Sequence, residues 1–330
     1  MQINTLQILR AFAAISVLIT HVFQKSSYKP FGDYFLSGQY GVDIFFVLSG
    51  FLIYLTTKEQ TDPWKYLKKR TFRIYPLYLF ALLFYILYKI VLQNFTLDFK
   101  TLVQNILMLP WDTKWSYKSL IVGVAWSTLF EMFFYSLFFF ILFFKVQKKL
   151  IFILIPLLFL ICFSLIRFTS IENDIPVVSL FVSLAGSLHM IFFLAGCIIA
   201  ELFVKNRIPR LPKKVYTPIL FASFVLMIIT MLMPYNHLLS FFVCILLFTL
   251  VLQYESYFSL DVKKRSVASL IYTGDISYSI YIFHVLIISV LIIWIKNIPI
   301  LLAATILITL LVSSFTYNYI EKKFIALGKQ

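Results

Sequence analysis

Runs of about twenty consecutive apolar residues recur from one end of this chain to the other, and each is long enough to cross a bilayer core as a helix. Hydrophobic residues make up 61% of the 330 and charged residues only 13%. Thirty-seven phenylalanines are more than a soluble core of this size would hold. Membrane barrels need short alternating strands, and the sequence does not alternate. The expected fold is an all-α polytopic membrane protein, one integral-membrane domain over 1–330, with no polar stretch long enough for a soluble domain.

Ten spans are expected, at about 6–23, 41–56, 74–93, 125–144, 150–167, 187–204, 215–233, 238–253, 275–295 and 300–319. The first lacks a fitting small-x-small cleavage site and is read as a retained helix. No internal repeat is visible, which argues against the repeat-built transporter folds. Cys162, Cys197 and Cys244 all fall inside spans and read as small packing residues.

A net charge of +15 raises the question of nucleic acid, and its distribution answers it. Ten spans leave two alternating sets of loops. One set, with the C-terminal tail, carries 20 Lys and Arg; the opposite side, span ends included, carries 8. Positive loops stay in the cytoplasm, so both termini are placed there. The basic balance is topology, and no nucleic-acid partner is expected.

Two side chains interrupt the first span, "LQILRAFAAISVLITHVF". Arg10 and His21 are eleven residues apart, so they project from one helical face about 16 Å apart along the axis. Charged groups in a span usually face the bundle interior or a water-filled path. Read singly, Arg10 is also compatible with an anchor snorkelling to headgroups, and His21 with an interfacial hydrogen bond.

Other polar residues join them. "GVDIFFVLSGFLI" puts Asp43 near the depth of His21, and "WSTLFEMFFY" puts Glu131 somewhat deeper. Either carboxylate could orient His21, raise its basicity or bind an incoming hydroxyl; pairing with a loop lysine is the plainer reading. In "KYLKKRTFRIYP", Arg70 and Arg73 share a helix face at i and i+3. With Lys68 and Lys69 they form a contact for anionic membrane lipid. Arginine also suits bidentate phosphate binding, as a phosphorylated cytoplasmic donor would need.

The stretches "LRAFAAISVLITH", "GVDIFFVLSGFLI", "RTFRIYP", "WSTLFEMFFY" and "ISYSIYIFHVLI", in this order, resemble the successive signatures of the acyltransferase-3 family of membrane O-acyltransferases. The resemblance implies a ten-helix bundle; some members carry a fused soluble domain, which is not expected here, and a bacterial cytoplasmic membrane is the expected location. It implies transfer of an acyl group, most often acetyl, from cytoplasmic acyl-CoA (acetyl-CoA) to a hydroxyl of an extracytoplasmic surface polysaccharide or lipid-linked glycan. No permanently bound cofactor is implied. Arg10 and His21 then match the family's intramembrane pair, Arg70 and Arg73 its paired arginines, and Glu131 its acidic residue after the Trp-Ser signature. "WSTLFEMFF" is more apolar than the usual context, which bears on acceptor geometry.

On that reading the coenzyme A phosphates sit near Arg10, Arg70 and Arg73 while the thioester approaches His21, about one pantetheine arm away. His21 is the general base. Glu131 or Asp43 stabilises its protonated form. A covalent acyl-histidine is the alternative route.

Several residues stay open. His284 in the ninth span is either a cavity-lining residue or one bonded within the bundle, and His189 reads as interfacial. Tyr278 and Tyr281 read as packing, and Ser49 and Gly50 as points of close helix approach. Trp111 and Trp115, in the aromatic outer loop 94–124, are belt anchors or a platform for sugar rings. A secondary transporter or glycan flippase is the rival function. Such proteins often break helices at mid-membrane, and spans one, two, four and nine contain no proline. A structural scaffold would give Arg10, His21 and Glu131 nothing to do.

Overall fold

A computed structural model of the chain describes residues 3–26, 38–59, 62–109, 120–169 and 176–330, and every regular element among them is helical. In chain order these are α1 (Asn4–Lys25), α2 (Gln39–Glu59), α3 (Pro63–Gln93), α4 (Phe99–Leu107) and α5 (Ala125–Phe143). There follow α6 (Ile151–Phe168), α7 (Pro176–Ala185), α8 (His189–Val204), α9 (Lys213–Met231) and α10 (His237–Tyr257). The last four are α11 (Arg265–Asp275), α12 (Ser277–Trp294), α13 (Ile298–Thr316) and α14 (Lys322–Leu327). Among the described residues, nine helices are long and apolar enough to cross a membrane, or ten if the bent pair α7 and α8 counts as one span. The protein is an all-α polytopic membrane protein.

Three elements differ from the sequence expectation. The third span begins well before residue 74, because Asp62 caps α3 by accepting the backbone N–H groups of Trp64 and Lys65 and Pro63 opens its first turn. Arg70 and Arg73 therefore lie within α3. The span expected at 187–204 is a pair of helices bent by 51°, α8 alone having 16 residues. Finally, the stretch 254–274 is not all loop, since α11 occupies its second half.

The segment after α3, expected as an outer loop, contains a helix. Asp98 caps α4, and the Thr101 N–H and hydroxyl it accepts hold its carboxyl below the usual range. The far end of α4 bonds to the middle of α3: Tyr78 donates to the Asn105 carbonyl at 2.6 Å, and Tyr75 donates to the Ile106 carbonyl. Tyr78 is fifteen residues from Gln93, a rise of about 22 Å. So α4 turns back along α3, and the tyrosines satisfy carbonyls that a helix end leaves open. Asn105 is buried, and its side-chain oxygen accepts the Ile121 N–H at 2.7 Å. Trp111 and Trp115 lie outside the described residues, as does most of the loop expected at 24–40.

The chain divides into two compact units. The first comprises Met1–Leu52 and Ala195–Tyr317. At its centre α1 packs on α11, α12 and α13, with Ala14, Leu18 and Val22 against Ile280, Ile288 and Leu301. Lipid tails are as apolar as leucine, so close backbone approach and dispersion hold such helices together rather than a hydrophobic driving force. Glycines mark the closest approaches. A Cβ on Gly274 would collide with the Gln7 carbonyl of α1, and one on Gly196 with the Val47 carbonyl of α2. Cys197 in the same crossing donates to the Gly50 carbonyl at 3.4 Å, so Gly50 faces this crossing.

The second unit comprises Ile53–Leu194 and Asn318–Gln330. Here α3 packs on α5 and on α14, and α6 on α7. The Phe134 and Phe193 rings stack at 3.9 Å between α5 and the start of α8. A Cβ on Gly186, at the α7–α8 bend, would press within 2.9 Å of α6 backbone at Cys162.

Candidate active site

The first unit holds Arg10, His21 and Asp43; the second holds Arg70, Arg73 and Glu131. Within the first unit, α1 carries His21 one turn beyond Val17, and α12 carries His284 one turn beyond Ile280. Both imidazoles bend back onto those carbonyls, His21 Nδ1 at 3.0 Å from Val17 O and His284 Nδ1 at 3.1 Å from Ile280 O. The two rings then meet, with His284 Nε2 at 3.1 Å from His21 Nδ1. His284 is fully buried, whereas His21 keeps partial exposure. Tyr281, one turn before His284, lies 5.8 Å from its ring and 6.1 Å from that of Phe45. The role left open for His284 is thus a direct contact with the proposed base.

Arg10 sits on α1 as expected, with its guanidinium donating to Gln7 Oε1 at 3.2 Å. Asp43 is fully buried, and its carboxylate accepts Tyr235 at 2.7 Å and Ser240 at 2.5 Å. These bonds tie α2 to the start of α10 and the turn before it. Burial, and after it the Asp43 carboxylate, push the Tyr235 phenol well above its ordinary range, so it keeps its proton and donates. His237 Nδ1 stands 3.0 Å from the same hydroxyl. The sequence pointed to Asp43 or Glu131 as the group that orients His21; in the structure the side chain hydrogen-bonded to His21 is His284. Finding Tyr235 and Ser240 from sequence would have required knowing that residues nearly two hundred positions apart meet.

The second unit builds a different cluster. Tyr135 donates to Glu131 Oε1 at 2.5 Å across one turn of α5. The Arg70 guanidinium lies over both the Tyr135 ring, 5.2 Å from its centre, and the Tyr66 ring, at 5.5 Å. It also donates to Thr56 Oγ1. Arg73 lies one turn further along α3. Arginine, tyrosine and carboxylate form one network in which the cation is stacked and oriented. Its signal was visible as Tyr135 one helical turn after Glu131. His189 is buried between the Trp126 and Phe130 rings, at 5.3 and 5.2 Å.

The chain matches the family model described as an acyltransferase domain over residues 3–318. It is also similar to the exopolysaccharide production protein ExoZ of Rhizobium meliloti (strain 1021). The two are 27% identical over 266 residues, covering 78% of this chain and 79% of that protein. No solved structure matches the chain.

Proposed function

Since the chain belongs to the acyltransferase-3 family, we propose that it is a membrane O-acyltransferase that moves an acyl group, acetyl in the first instance, from acyl-CoA to a hydroxyl of a surface polysaccharide or its lipid-linked precursor. The observation that carries the chemistry is a histidine inside a membrane helix whose ring is held by a carbonyl and a second imidazole. The name of the relative from Rhizobium meliloti, an exopolysaccharide production protein, supports the acceptor class.

In the proposed reaction the acceptor hydroxyl gives its proton to His21 as its oxygen attacks the thioester carbonyl carbon. The tetrahedral intermediate collapses, the C–S bond breaks, and the proton passes from His21 to the departing thiolate. The products are the O-acyl ester and free coenzyme A. Histidine suits this exchange because its ordinary pKa lies near the working pH. Arg70 and Arg73 supply the guanidinium groups for the donor's phosphates.

The distribution of basic residues supports a bacterial cytoplasmic membrane location with both termini on the cytoplasmic side. Impermeant labelling of single cysteines in a Cys-free variant tests this, and outside labelling of loop 205–214 would reverse the orientation. The deciding experiment is purified protein with radiolabelled acetyl-CoA and a panel of lipid-linked glycans. Label should move into the glycan as a base-labile ester. Glycan translocated without label would make the protein a flippase.

A further inference from the structure

We propose that His284 is a positioning residue that, together with the Val17 carbonyl, selects the tautomer of His21, leaving His21 Nε2 as the nitrogen that takes the acceptor's proton. The inference rests on the acyltransferase reading for its consequence, but its geometry is independent of it. A carbonyl oxygen can only accept a hydrogen bond, so the ring nitrogen facing one must carry a proton.

At His284 that nitrogen is Nδ1, which faces Ile280 O at 3.1 Å. In a neutral ring Nε2 is then an acceptor, and it points at His21 Nδ1, 3.1 Å away. His21 Nδ1 faces a second acceptor as well, Val17 O at 3.0 Å. Two acceptors on one nitrogen demand a proton there, shared between them. The opposite tautomer would set the His21 Nδ1 lone pair against the Val17 carbonyl. For His284 to donate in that case, its own Nδ1 lone pair would have to face the Ile280 carbonyl. Both contacts are repulsive, and His284 is fully buried, so its ring nitrogens depend on the protein groups that touch them.

The consequence is directional. With Nδ1–H committed, the free lone pair of His21 is on Nε2. When that nitrogen takes the hydroxyl proton, the imidazolium still donates from Nδ1 to a neutral acceptor pair. A carboxylate in the place of His284 would hold the proton more tightly and return it to the thiolate less readily. A neutral imidazole orients the base without trapping it.

The chain has four histidines, so imidazole ¹⁵N spectra of histidine-labelled protein in detergent or nanodiscs are tractable. His21→Ala assigns the His21 signals. The expected wild-type spectrum has His21 Nδ1 as the protonated, pyrrole-type nitrogen and Nε2 as the pyridine-type one. His284→Phe fills the volume without an acceptor. It leaves the Val17 carbonyl as the remaining acceptor, so it should weaken the His21 tautomer preference, raising the minor form, and lower turnover about 10-fold with both substrate KM values unchanged, the scale of one lost hydrogen bond. His284→Gln, whose amide oxygen can accept from Nδ1–H, should restore most of both.

A wild-type His21 protonated at Nε2 would overturn the proposal, and so would His284→Phe with an unchanged tautomer ratio and native turnover. If His284→Phe does not fold, the wild-type spectrum and His284→Gln still decide. Failure of the functional reading looks different: His21→Ala would keep its turnover while the tautomer assignment stood.

Discussion

The two polar clusters of this protein solve the problem of polarity inside a membrane in opposite ways. In the first unit the His21–His284 pair can be wholly neutral, each ring tethered to a carbonyl one turn back on its own helix. In the second, Arg70 is permanently charged and is accommodated by two aromatic faces, a threonine hydroxyl and a tyrosine that leads to Glu131. A neutral pair can take up a proton and give it back without changing its surroundings much. A charged, stacked cation cannot titrate and is suited to holding an anion. The difference divides the proposed labour into proton transfer and donor binding, and each half can be broken separately.

The largest effect is expected at His21. Replacing it with Ala or Gln should lower turnover by about 10²–10⁴-fold, the usual contribution of a general base, while acetyl-CoA binding stays close to wild type. Gln keeps hydrogen bonding but has no useful basicity, so it should be as inactive as Ala. Near-normal turnover in His21→Gln would make the residue structural and collapse the contrast between the clusters.

Arg70 comes next and should show the reverse pattern. Arg70→Ala should raise the donor KM about 10- to 100-fold, the range of one or two charge-assisted hydrogen bonds, with turnover at saturation largely kept. Arg70→Lys should recover only part of this, because an ammonium neither forks to phosphate nor stacks flat on Tyr66 and Tyr135. An Arg70→Ala/Arg73→Ala double variant with unchanged acetyl-CoA affinity would return both residues to lipid anchoring.

These predictions lean on features that sequence displays unequally. Apolar runs announce helices directly, which is why the positions of the spans were readable even where, as in α6, almost no polar residue marks them. Arg10, His21 and Glu131 were readable for the complementary reason, since a polar side chain in such a run stands out against its background. What pairs with what was not readable. The His21–His284 contact joins α1 to α12, and the Asp43–Ser240 contact joins α2 to α10; periodicity within one helix says nothing about either. Nor does hydropathy register the return of α4 along α3, because Tyr75, Tyr78 and Asn105 declare their partnership only once the chain has folded back. Local pairs were accessible in principle: Glu131 and Tyr135 lie one turn apart on α5.

Asp43 offers a test in which stability and chemistry separate. Its carboxylate is buried and accepts from Tyr235 and Ser240, so it resembles a structural joint between α2 and α10. Tyr235→Phe removes one donor and should cost about 1–3 kcal/mol, the penalty for leaving a buried acceptor short of a partner. A lower melting temperature in detergent with unchanged turnover per folded molecule is the expected result. A loss of turnover without loss of stability would place Asp43 beside His21 in the chemistry.

The smallest effect is expected at Glu131, and it sharpens the comparison most finely. Glu131→Gln leaves an amide oxygen that can still accept from Tyr135, so the stack beneath Arg70 should persist. Only the negative charge is lost, and at partial exposure such a charge contributes about 0.2–1 kcal/mol to a neighbouring cation. The donor KM should therefore move less than about 5-fold. Its direction is informative. Removing a carboxylate near Arg70 frees the guanidinium for phosphate, so the electrostatic account predicts tighter donor binding in Glu131→Gln and weaker binding in Tyr135→Phe, where the oriented link from Arg70 to Glu131 is cut. If Glu131→Gln instead lost turnover by two orders of magnitude at unchanged donor KM, Glu131 would belong with the proton chemistry, and the division between a neutral and a charged cluster would fail.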